Sequence, residues 1–367
     1  MASPLERDCA RLFLVGFKDR TVSPELAALV RDGVLGAILF SRNIGTPLET
    51  TELLTELKRS AGRPFLTSVD QEGGRVARFR GAPFTALPPM RVLGQYADEA
   101  LAERVGRLLA YELRALGIDW DFAPVLDVDT NPANPVIADR ALGSDPDKVA
   151  TLGVALARGL EAGGVASCAK HFPGHGDTQK DSHHTLPVLT HGLERLRSVE
   201  LVPFRRYAEA GLAAVMTAHV RFAALGDELP ATLSRRALTD ILRGELGFRG
   251  VCVSDDLEMK AVSEQMSLEE ATVEGARAGV DVFLVCENAD VQRRCLEALV
   301  RAVEAGRVSR QRLAEAHRRQ DVLLARFAHA PGSQRERLGS AEHQRLAEGL
   351  SSQAVAGSDP TEQGRVS

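Results

Sequence analysis

The stretch KHFPGHGDTQKDSHH, residues 170–184, holds the side chains of this sequence best suited to proton transfer or metal binding. It contains four of the nine histidines of the chain, together with Asp177 and Asp181. Its glycines and proline favour a loop. Such a composition fits a metal site, a general acid/base device, or an ordered loop whose histidines only shape turns.

Metal binding is the first interpretation, because histidine and aspartate at short spacing can ligate zinc or a harder ion. The sequence has no H-E-x-x-H motif. It also lacks an H-x-H early in the chain, where many barrel metallohydrolases carry one. We therefore rank a metal-dependent hydrolase below the acid/base interpretation, and we expect neither a metal nor another cofactor.

Acid/base chemistry is the second interpretation. Asp181 and His183 are two residues apart, and a local turn would bring the carboxylate onto the imidazole. Such a contact raises the pKa of a histidine and keeps it protonatable near neutral pH. Asp255, just after the apolar run VCV, is a candidate nucleophile, since an idle charge there would be costly. An acid facing a nucleophile is the arrangement of a retaining glycosidase, although its usual acid is a carboxylic acid.

Eight short apolar runs alternate with amphipathic helical stretches and must position these residues. The runs span 11–17, 33–40, 65–70, 118–128, 164–172, 213–220, 250–256 and 280–286. Near-continuous apolar strands are typical of parallel sheets, and eight β-then-α units predict a (β/α)8 barrel. A doubly wound sheet ranks second, because the paired glycines of DQEGGRVARF lack the G-x-G-x-x-G spacing.

We expect one domain over residues 1–355, in which the barrel is followed by a short C-terminal helical extension at 340–355. Residues 356–367 are small and polar, and they predict a disordered tail.

In a (β/α)8 barrel the carboxyl ends of the strands and the following loops build the active site. The predicted strands and loops bring these polar residues to that rim: Asp70, Asp127, Asp129, Arg140, Lys170, His171, His219, Asp255, Asp256 and Glu287. A strand-end carboxylate is often only a helix cap or a turn former. We apply that interpretation to Asp127, Asp129, Asp256 and Glu287 at even weight or more, and we assign His175 and Asp177 mainly to turns.

Composition excludes several classes of function. The net charge of −5, without a basic patch interleaved with aromatics, argues against a nucleic-acid binder. No apolar run approaches the roughly 20 residues of a membrane span, and the N-terminus does not resemble a secretory signal. We expect a cytoplasmic monomer with a small-molecule substrate. The five cysteines, with no C-x-x-C pair, are interpreted as buried and reduced.

Residues 170–183 resemble the signature of bacterial β-N-acetylhexosaminidases of glycoside hydrolase family 3. Four further stretches are similar to that family, in the family's order. They are VDQEGGRVARF (69–79), FAPVLDVDTNPANPVIADRALGSDP (122–146), VMTAHV (215–220) and GFRGVCVSDDLEM (247–259). The similarity extends over nearly the whole predicted barrel.

The resemblance implies a barrel that removes terminal β-linked N-acetylglucosamine with retention of configuration. It implies that Asp255 is the nucleophile, His183 the acid/base and Asp181 the support of that histidine. It also implies a set of sugar-binding residues, namely Asp70, Arg78, Arg140, Lys170 and His171.

Many relatives carry a second α/β domain, whereas this sequence resembles the compact form. In Gram-negative bacteria that form is a cytoplasmic peptidoglycan-recycling enzyme, so we expect muropeptide substrates such as N-acetylglucosaminyl-1,6-anhydro-N-acetylmuramic acid. Two alternatives stay open. One is a phosphorylase, because a histidine acid/base does not repel phosphate and some relatives with this D-x-H device use it. The other is a non-catalytic sugar-binding barrel.

Overall fold

The computed structural model describes residues 2–182, 184–329 and 338–356, without the side chains of 353–356. The strands are β1 (Phe13–Val15), β2 (Gly36–Leu39), β3 (Leu66–Val69), β4 (Gln71–Gly73), β5 (Val76–Ala77), β6 (Trp120–Asp121), β7 (Cys168–Phe172), β8 (Val188–Leu189), β9 (Ala214–Thr217), β10 (Arg221–Phe222), β11 (Val251–Asp256) and β12 (Val282–Val285).

The α-helices are α1 (Pro4–Ala10), α2 (Pro24–Asp32), α3 (Pro47–Ala61), α4 (Met90–Tyr96), α5 (Glu99–Leu116), α6 (Pro146–Ala162), α7 (Leu193–Arg195), α8 (Leu201–Glu209), α9 (Lys260–Ser263), α10 (Leu268–Ala278), α11 (Ala289–Glu304), α12 (Arg310–Phe327) and α13 (Ala341–Ala356). Two further segments, Leu196–Glu200 and Arg236–Glu245, are π-helical.

Eight of these strands form a parallel barrel in the order β6-β3-β2-β1-β12-β11-β9-β7. It closes between β6 and β7 through two parallel bridges, Trp120 to Ala166 and Val125 to Lys170. Each barrel strand lies within one of the eight predicted apolar runs. The predicted (β/α)8 barrel is therefore confirmed, and the doubly wound alternative is wrong.

The barrel strands have two buried faces, which explains their apolar runs. In β1, Phe13 and Val15 pack outward into the layer between barrel and helices, whereas Leu14 points into the barrel interior. This alternation follows from the two-residue period of a strand. Trp120 and Phe122 fill part of the interior, and α12 covers its N-terminal end with Leu323 and Phe327.

The helices begin where short polar side chains can accept a hydrogen bond from the first turn. Their caps include Ser23, Thr46, Asp98, Asp145, Ser267 and Ser309. At α3 the cap is reciprocal: Thr46 accepts from Glu49 N, and Glu49 accepts from Thr46 N. These caps fix the residue at which each helix begins.

The predicted C-terminal extension is the helix α13, which packs beside α4. The Tyr96 hydroxyl donates to Gly349 O at 2.9 Å and to Leu350 O at 3.0 Å. The tail predicted for 356–367 lies, except for Ala356, outside the described residues. All five cysteines are buried and unbridged, and none of the described helices has the length and apolar composition that a membrane crossing requires.

Candidate active site

A cavity of about 440 Å³ opens at the carboxyl-terminal end of the barrel. Seven of the eight residues predicted for the site line it: Asp70, Arg78, Arg140, Lys170, His171, Asp181 and Asp255. The eighth, His183, lies outside the described residues. Side chains that are separated by up to 185 positions in the sequence thus share one cavity, because the barrel brings all strand carboxyl ends to one rim.

At the carboxyl-terminal end of the barrel, polar side chains follow the apolar side chains of the interior. Cys168 of β7 and Val253 of β11 belong to the interior cluster. Lys170 and Asp255 come two residues later and line the cavity. The pairing of both strands shifts register here, and the next residues, His171 and Asp256, line the cavity as well. Asp70 comes directly after β3 and lines the same cavity.

A tight hairpin returns Arg78 to the end of β3. β4 and β5 are joined through Gly73 and Gly74, whose φ angles of 103° and 53° favour glycine. A side chain at Gly74 would also place its Cβ 2.8 Å from the Cα of Pro89. The hairpin lets Arg78 Nη2 donate to Asp70 Oδ2 at 3.0 Å.

An alternating row of five charges forms one wall of the cavity. Lys170 Nζ lies 2.7 Å from Asp70 Oδ1 and 2.7 Å from Glu72 Oε1. Glu72 in turn accepts both Arg140 Nε and Arg140 Nη2 at 2.8 Å. Arg78 completes the row at its outer end. We call these five residues, Arg78, Asp70, Lys170, Glu72 and Arg140, the charged row.

The charged row keeps its members ionised despite their burial. Burial acts to raise the pKa of Asp70, but the attraction of Lys170 and Arg78 outweighs it, and the pKa is lowered. Burial opposes ionisation of Glu72 too, and Arg140 with Lys170 lowers its pKa. Burial disfavours the Lys170 cation, yet the two carboxylates raise its pKa. With three cations and two anions, the wall presents an excess of one positive charge.

His171 is oriented by a buried carboxylate. Its Nδ1 lies 2.6 Å from Asp127 Oδ2, and its backbone N donates to Asp127 Oδ1 at 3.1 Å. Burial acts to raise the pKa of Asp127, but His171 and His175 lower it. An ionised carboxylate only accepts, so the shared proton belongs on His171 Nδ1. Asp127 therefore fixes the orientation of the His171 ring, which is a different role from the helix cap or turn considered from the sequence.

The loop after β7 is fixed close to its start. Thr178 Oγ1 lies 2.7 Å from His175 Nδ1, and Asn134 Nδ2 donates to His175 O at 2.8 Å. Asp177 accepts from Thr130 Oγ1 at 2.9 Å and pairs with His191. These contacts join the loop to the long segment that follows β6.

Further along the same loop, two later residues donate backbone hydrogen bonds to the carbonyl of Asp181. Asp181 O accepts from His184 N at 3.0 Å and from Thr185 N at 3.1 Å. The Asp181 side chain lines the cavity, whereas that of His184 is 76% exposed. The neighbouring Ser182 is buried. A cavity-lining side chain and a surface side chain therefore lie only three residues apart.

Asp255 lies at the end of β11 among other carboxyl groups. Its Oδ1 accepts from Asp256 N at 2.8 Å. Asp256 also lines the cavity, and burial raises its pKa to about 7. The Asp256 carbonyl lies 3.0 Å from Nε2 of the buried His219. His219 therefore supports the backbone next to Asp255.

The remaining strand-end carboxylates have structural partners. Asp129 pairs with Arg91. Glu287, at the cavity rim, pairs with Arg42 at 2.8 Å. Both acids are therefore ion-paired, which differs from the helix cap or turn considered from the sequence.

Glu72 is the main site residue that the sequence reasoning missed. A signal was present, because Glu72 lies two positions after Asp70, and strand alternation places such residues on one face. Ser182 had no comparable signal, since its burial depends on contacts made by other parts of the fold. Among the described residues, no group of three or more His, Cys, Asp or Glu side chains could hold a metal ion.

A parallel (β/α)8 barrel with a polar cavity at the carboxyl ends of its strands defines a barrel enzyme for a small polar substrate. The family model of the glycosyl hydrolase family 3 N-terminal domain matches residues 5–322. The chain therefore belongs to glycosyl hydrolase family 3, and its activity is of the β-hexosaminidase type.

Known relatives agree over most of the chain. A β-hexosaminidase of Thiobacillus denitrificans is 42% identical over 333 residues, which are 89% of this chain and 88% of the relative. A family 3 β-N-acetylglucosaminidase from Paenibacillus sp. superposes with a TM-score of 0.91 at 41% identity, covering 95% of this chain and 68% of that one. NagZ from Neisseria gonorrhoeae, solved with N-trifluoroacetyl-D-glucosamine, superposes with a TM-score of 0.77 at 35% identity. The superposition covers 92% of this chain and 97% of NagZ.

Proposed function

We propose that this enzyme removes terminal β-linked N-acetylglucosamine with retention, through a covalent glycosyl-enzyme on Asp255. The observation that carries the proposal is the single cavity shared by Asp255, Asp181 and the charged row. The complex of NagZ with an N-acylglucosamine supports this sugar as the substrate unit. Asp255 would attack the anomeric carbon, and His183 would give its proton to the leaving oxygen and later take one from water.

The charged row would bind the sugar. Lys170 and the two arginines offer more N–H donors than their carboxylate partners use, and Asp70 can accept from hydroxyl groups. Because all five charges already hold one another, little reorganisation is needed when the sugar arrives. The excess positive charge of the row also favours the ionised form of a nearby nucleophilic carboxylate. Hydrogen bonds that tighten in an oxocarbenium-like transition state lower the barrier by several kcal/mol.

Asp181 would support the acid/base. A carboxylate beside an imidazole stabilises the imidazolium and keeps the proton available near neutral pH. Two observations support this assignment: Asp181 lines the same cavity as Asp255, and it precedes His183 by two positions in the sequence. His171 would bind the sugar through its Nε2, since Asp127 already occupies Nδ1.

Covalent labelling tests the nucleophile. A slow fluorinated N-acetylglucosaminide should inactivate the enzyme and add its mass to the peptide that contains Asp255. Label on another residue would overturn the assignment. As a matched control, Asp129→Asn should still be labelled, because Asp129 pairs with Arg91 rather than lining the cavity.

Leaving-group dependence tests the acid. His183→Ala should slow a disaccharide far more than an aryl N-acetylglucosaminide, whose leaving group needs no proton. Equal losses on both substrates would contradict the role of His183. Product analysis in phosphate buffer distinguishes hydrolysis, which gives free N-acetylglucosamine, from phosphorolysis, which gives its 1-phosphate. Added chelator should leave the rate unchanged, because no step above uses a metal.

We propose peptidoglycan fragments as the natural substrates and the cytoplasm as the site of action. The support is the NagZ likeness together with the motif resemblance, and a direct comparison tests it. Purified muropeptides should be cleaved with a higher kcat/KM than chitobiose. A clear preference for chitobiose would point to chitin fragments instead.

A further inference from the structure

We propose that His175 and Ser182 are positioning residues that fix the loop segment carrying Asp181 against the turn that follows Asp255. This inference rests on the proposed function, because it concerns how the two halves of that chemistry are held together. We call the contact of His175 with Ser182, and of Ser182 with Ala261, the Ser182 clasp.

The Ser182 clasp joins two different parts of the barrel. Ser182 Oγ lies 3.0 Å from His175 Nε2, in the loop after β7. Ser182 O accepts from Ala261 N at 3.2 Å, in the short helix α9 after β11. Ser182 is only 3% exposed, although its neighbours Lys180 and His184 are exposed. The side chain of Ser182 is thus held by the loop after β7, and its carbonyl group is held by α9.

His175 is itself a fixed anchor. Its backbone N donates to Asp127 Oδ1 at 2.7 Å, and its Nδ1 lies 2.7 Å from Thr178 Oγ1. The Thr178 hydroxyl also lies 3.0 Å from His175 O. Because a hydroxyl can donate or accept, Nε2 can pair with the Ser182 hydroxyl in either neutral tautomer of the ring. Burial lowers the pKa of His175 to about 4, which keeps the ring neutral for this arrangement.

The clasp bears on catalysis because Asp181 is the residue next to Ser182. Consecutive Cα atoms are 3.8 Å apart, so fixing Ser182 limits where the Asp181 side chain can lie in the cavity. The other end of the clasp, Ala261, lies in the segment that directly continues from Asp255. The contact therefore relates the position of Asp181 to that of the proposed nucleophile. A misplacement of about 1 Å in such a geometry can cost roughly a hundredfold in rate.

Removing the Ser182 hydroxyl tests the clasp. In Ser182→Ala, kcat/KM for an N-acetylglucosaminyl disaccharide should fall about tenfold to a hundredfold, while an aryl N-acetylglucosaminide should lose less than about threefold. A purely structural serine would slow both substrates alike. Ser198→Ala is the matched control, since Ser198 is exposed and bonds only locally to Arg195 O. It should change neither rate.

The anchor is tested separately. His175→Gln keeps a side chain that can hydrogen-bond to the Ser182 hydroxyl, so it should retain more disaccharide activity than His175→Leu. The double variant Ser182→Ala with His175→Leu should lose no more selectivity than His175→Leu alone, because both changes break one hydrogen bond. Additive losses, or equal losses on both substrates, would overturn the proposal.

His183→Ala, measured beside these variants, separates the two failures. If His183→Ala discriminates between the substrates and Ser182→Ala does not, only the clasp is wrong. If neither variant discriminates between the two substrates, both the acid role of His183 and the proposed role of the Ser182 clasp are wrong.

Discussion

Two buried aspartates, Asp121 and Asp127, show how the environment of a single residue decides its charge. Both are fully buried near the cavity. Asp127 accepts from two backbone N–H groups and from His171, and its pKa is lowered. Asp121 accepts from Gln71 N at 2.9 Å, but its other oxygen has no hydrogen-bond partner in the described structure. Burial therefore raises the pKa of Asp121 well above its ordinary value.

Asp121→Asn should leave the free energy of unfolding at pH 7 unchanged or raise it. The folded pKa of Asp121 lies above the unfolded value near 4, so its stabilising contribution is present at low pH and is lost as the pH rises. Between about pH 4 and pH 7, the free energy of unfolding of the variant should therefore rise relative to that of the wild type. Urea unfolding at both pH values measures this.

Asp127→Asn is the matched control, with the opposite sign. The folded pKa of Asp127 is lowered, so its contribution is present above the unfolded pKa and is lost as the pH falls. The variant should be destabilised by about 3 kcal/mol at pH 7, and less in acid. The same response from both variants would contradict the assigned charge states.

Glu72 should matter for activity as well as for stability. Glu72→Gln would leave Arg140 and Lys170 without their shared carboxylate and allow both to move. We expect kcat/KM to fall about a hundredfold and the free energy of unfolding to fall by about 3–5 kcal/mol. Glu269→Gln, which removes a partner of Arg294 at the surface, should cost no more than about 1 kcal/mol and no activity. Unchanged kcat/KM in Glu72→Gln would show that the charged row does not bind substrate.

At the scale of elements, the helices α5 and α6 cross at close range. A Cβ on Gly106 would lie 2.1 Å from Leu156 O, and a Cβ on Gly159 would lie 2.1 Å from Glu103 O. The two helices thus approach to backbone contact through paired glycines. α6 is followed by β7, which carries Lys170 and His171, so this crossing helps to set the position of the site.

Gly106→Ala should destabilise the fold by about 1–3 kcal/mol or more, because the added methyl overlaps a backbone carbonyl. Gly349→Ala is the control within α13, where an added Cβ meets nothing within 4 Å. Since alanine favours a helix over glycine, that change should stabilise by up to about 1 kcal/mol. Chemical denaturation compares them, and equal effects would argue against the close crossing.

At the scale of the whole molecule, one buried acid pairs with three arginines at the N-terminal end of the barrel. Asp281, which comes just before β12, pairs with Arg243 at 2.7 Å, with Arg312 at 2.7 Å and with Arg319 at 2.9 Å. These arginines come from the π-helical segment Arg236–Glu245 and from α12. The cluster therefore fastens α12 across the barrel end that it covers.

Asp281→Asn should lower the free energy of unfolding by about 3–5 kcal/mol, since it leaves three arginines without their shared carboxylate. The activity of the protein that remains folded should be unchanged, because the cluster lies at the end opposite the cavity. Thermal unfolding and kcat/KM measured on the same sample test both parts. A loss of activity without a loss of stability would contradict this division between the two ends.

The molecule should be a monomer. The large apolar side chains exposed in the described residues are few and belong to three different elements: Leu48 of α3, Val188 of β8 and Val322 of α12. Light scattering after size exclusion should give a mass near 39.5 kDa. A mass near twice that value would contradict the expectation.

The sequence by itself determined the barrel and many of the charged residues that line the cavity, although it did not reveal Glu72. Eight apolar runs specify eight buried parallel strands, and the polar residues that follow them must meet at one rim, as Asp70, Lys170 and Asp255 do. The extent of the C-terminal helix was equally readable, because helical periodicity is a local property.

Only the tertiary structure decided which charges hold each other. Three contacts join residues from separate β/α units. Glu72 pairs with Arg140, and Asp127 orients His171. Ser182 is buried between His175 and Ala261. Their distances depend on how the whole barrel closes. The raised pKa of Asp121 and the lowered pKa of Asp127 were undecided for the same reason: the pKa of a buried group depends on the partners that the fold brings to it, and local sequence does not specify them.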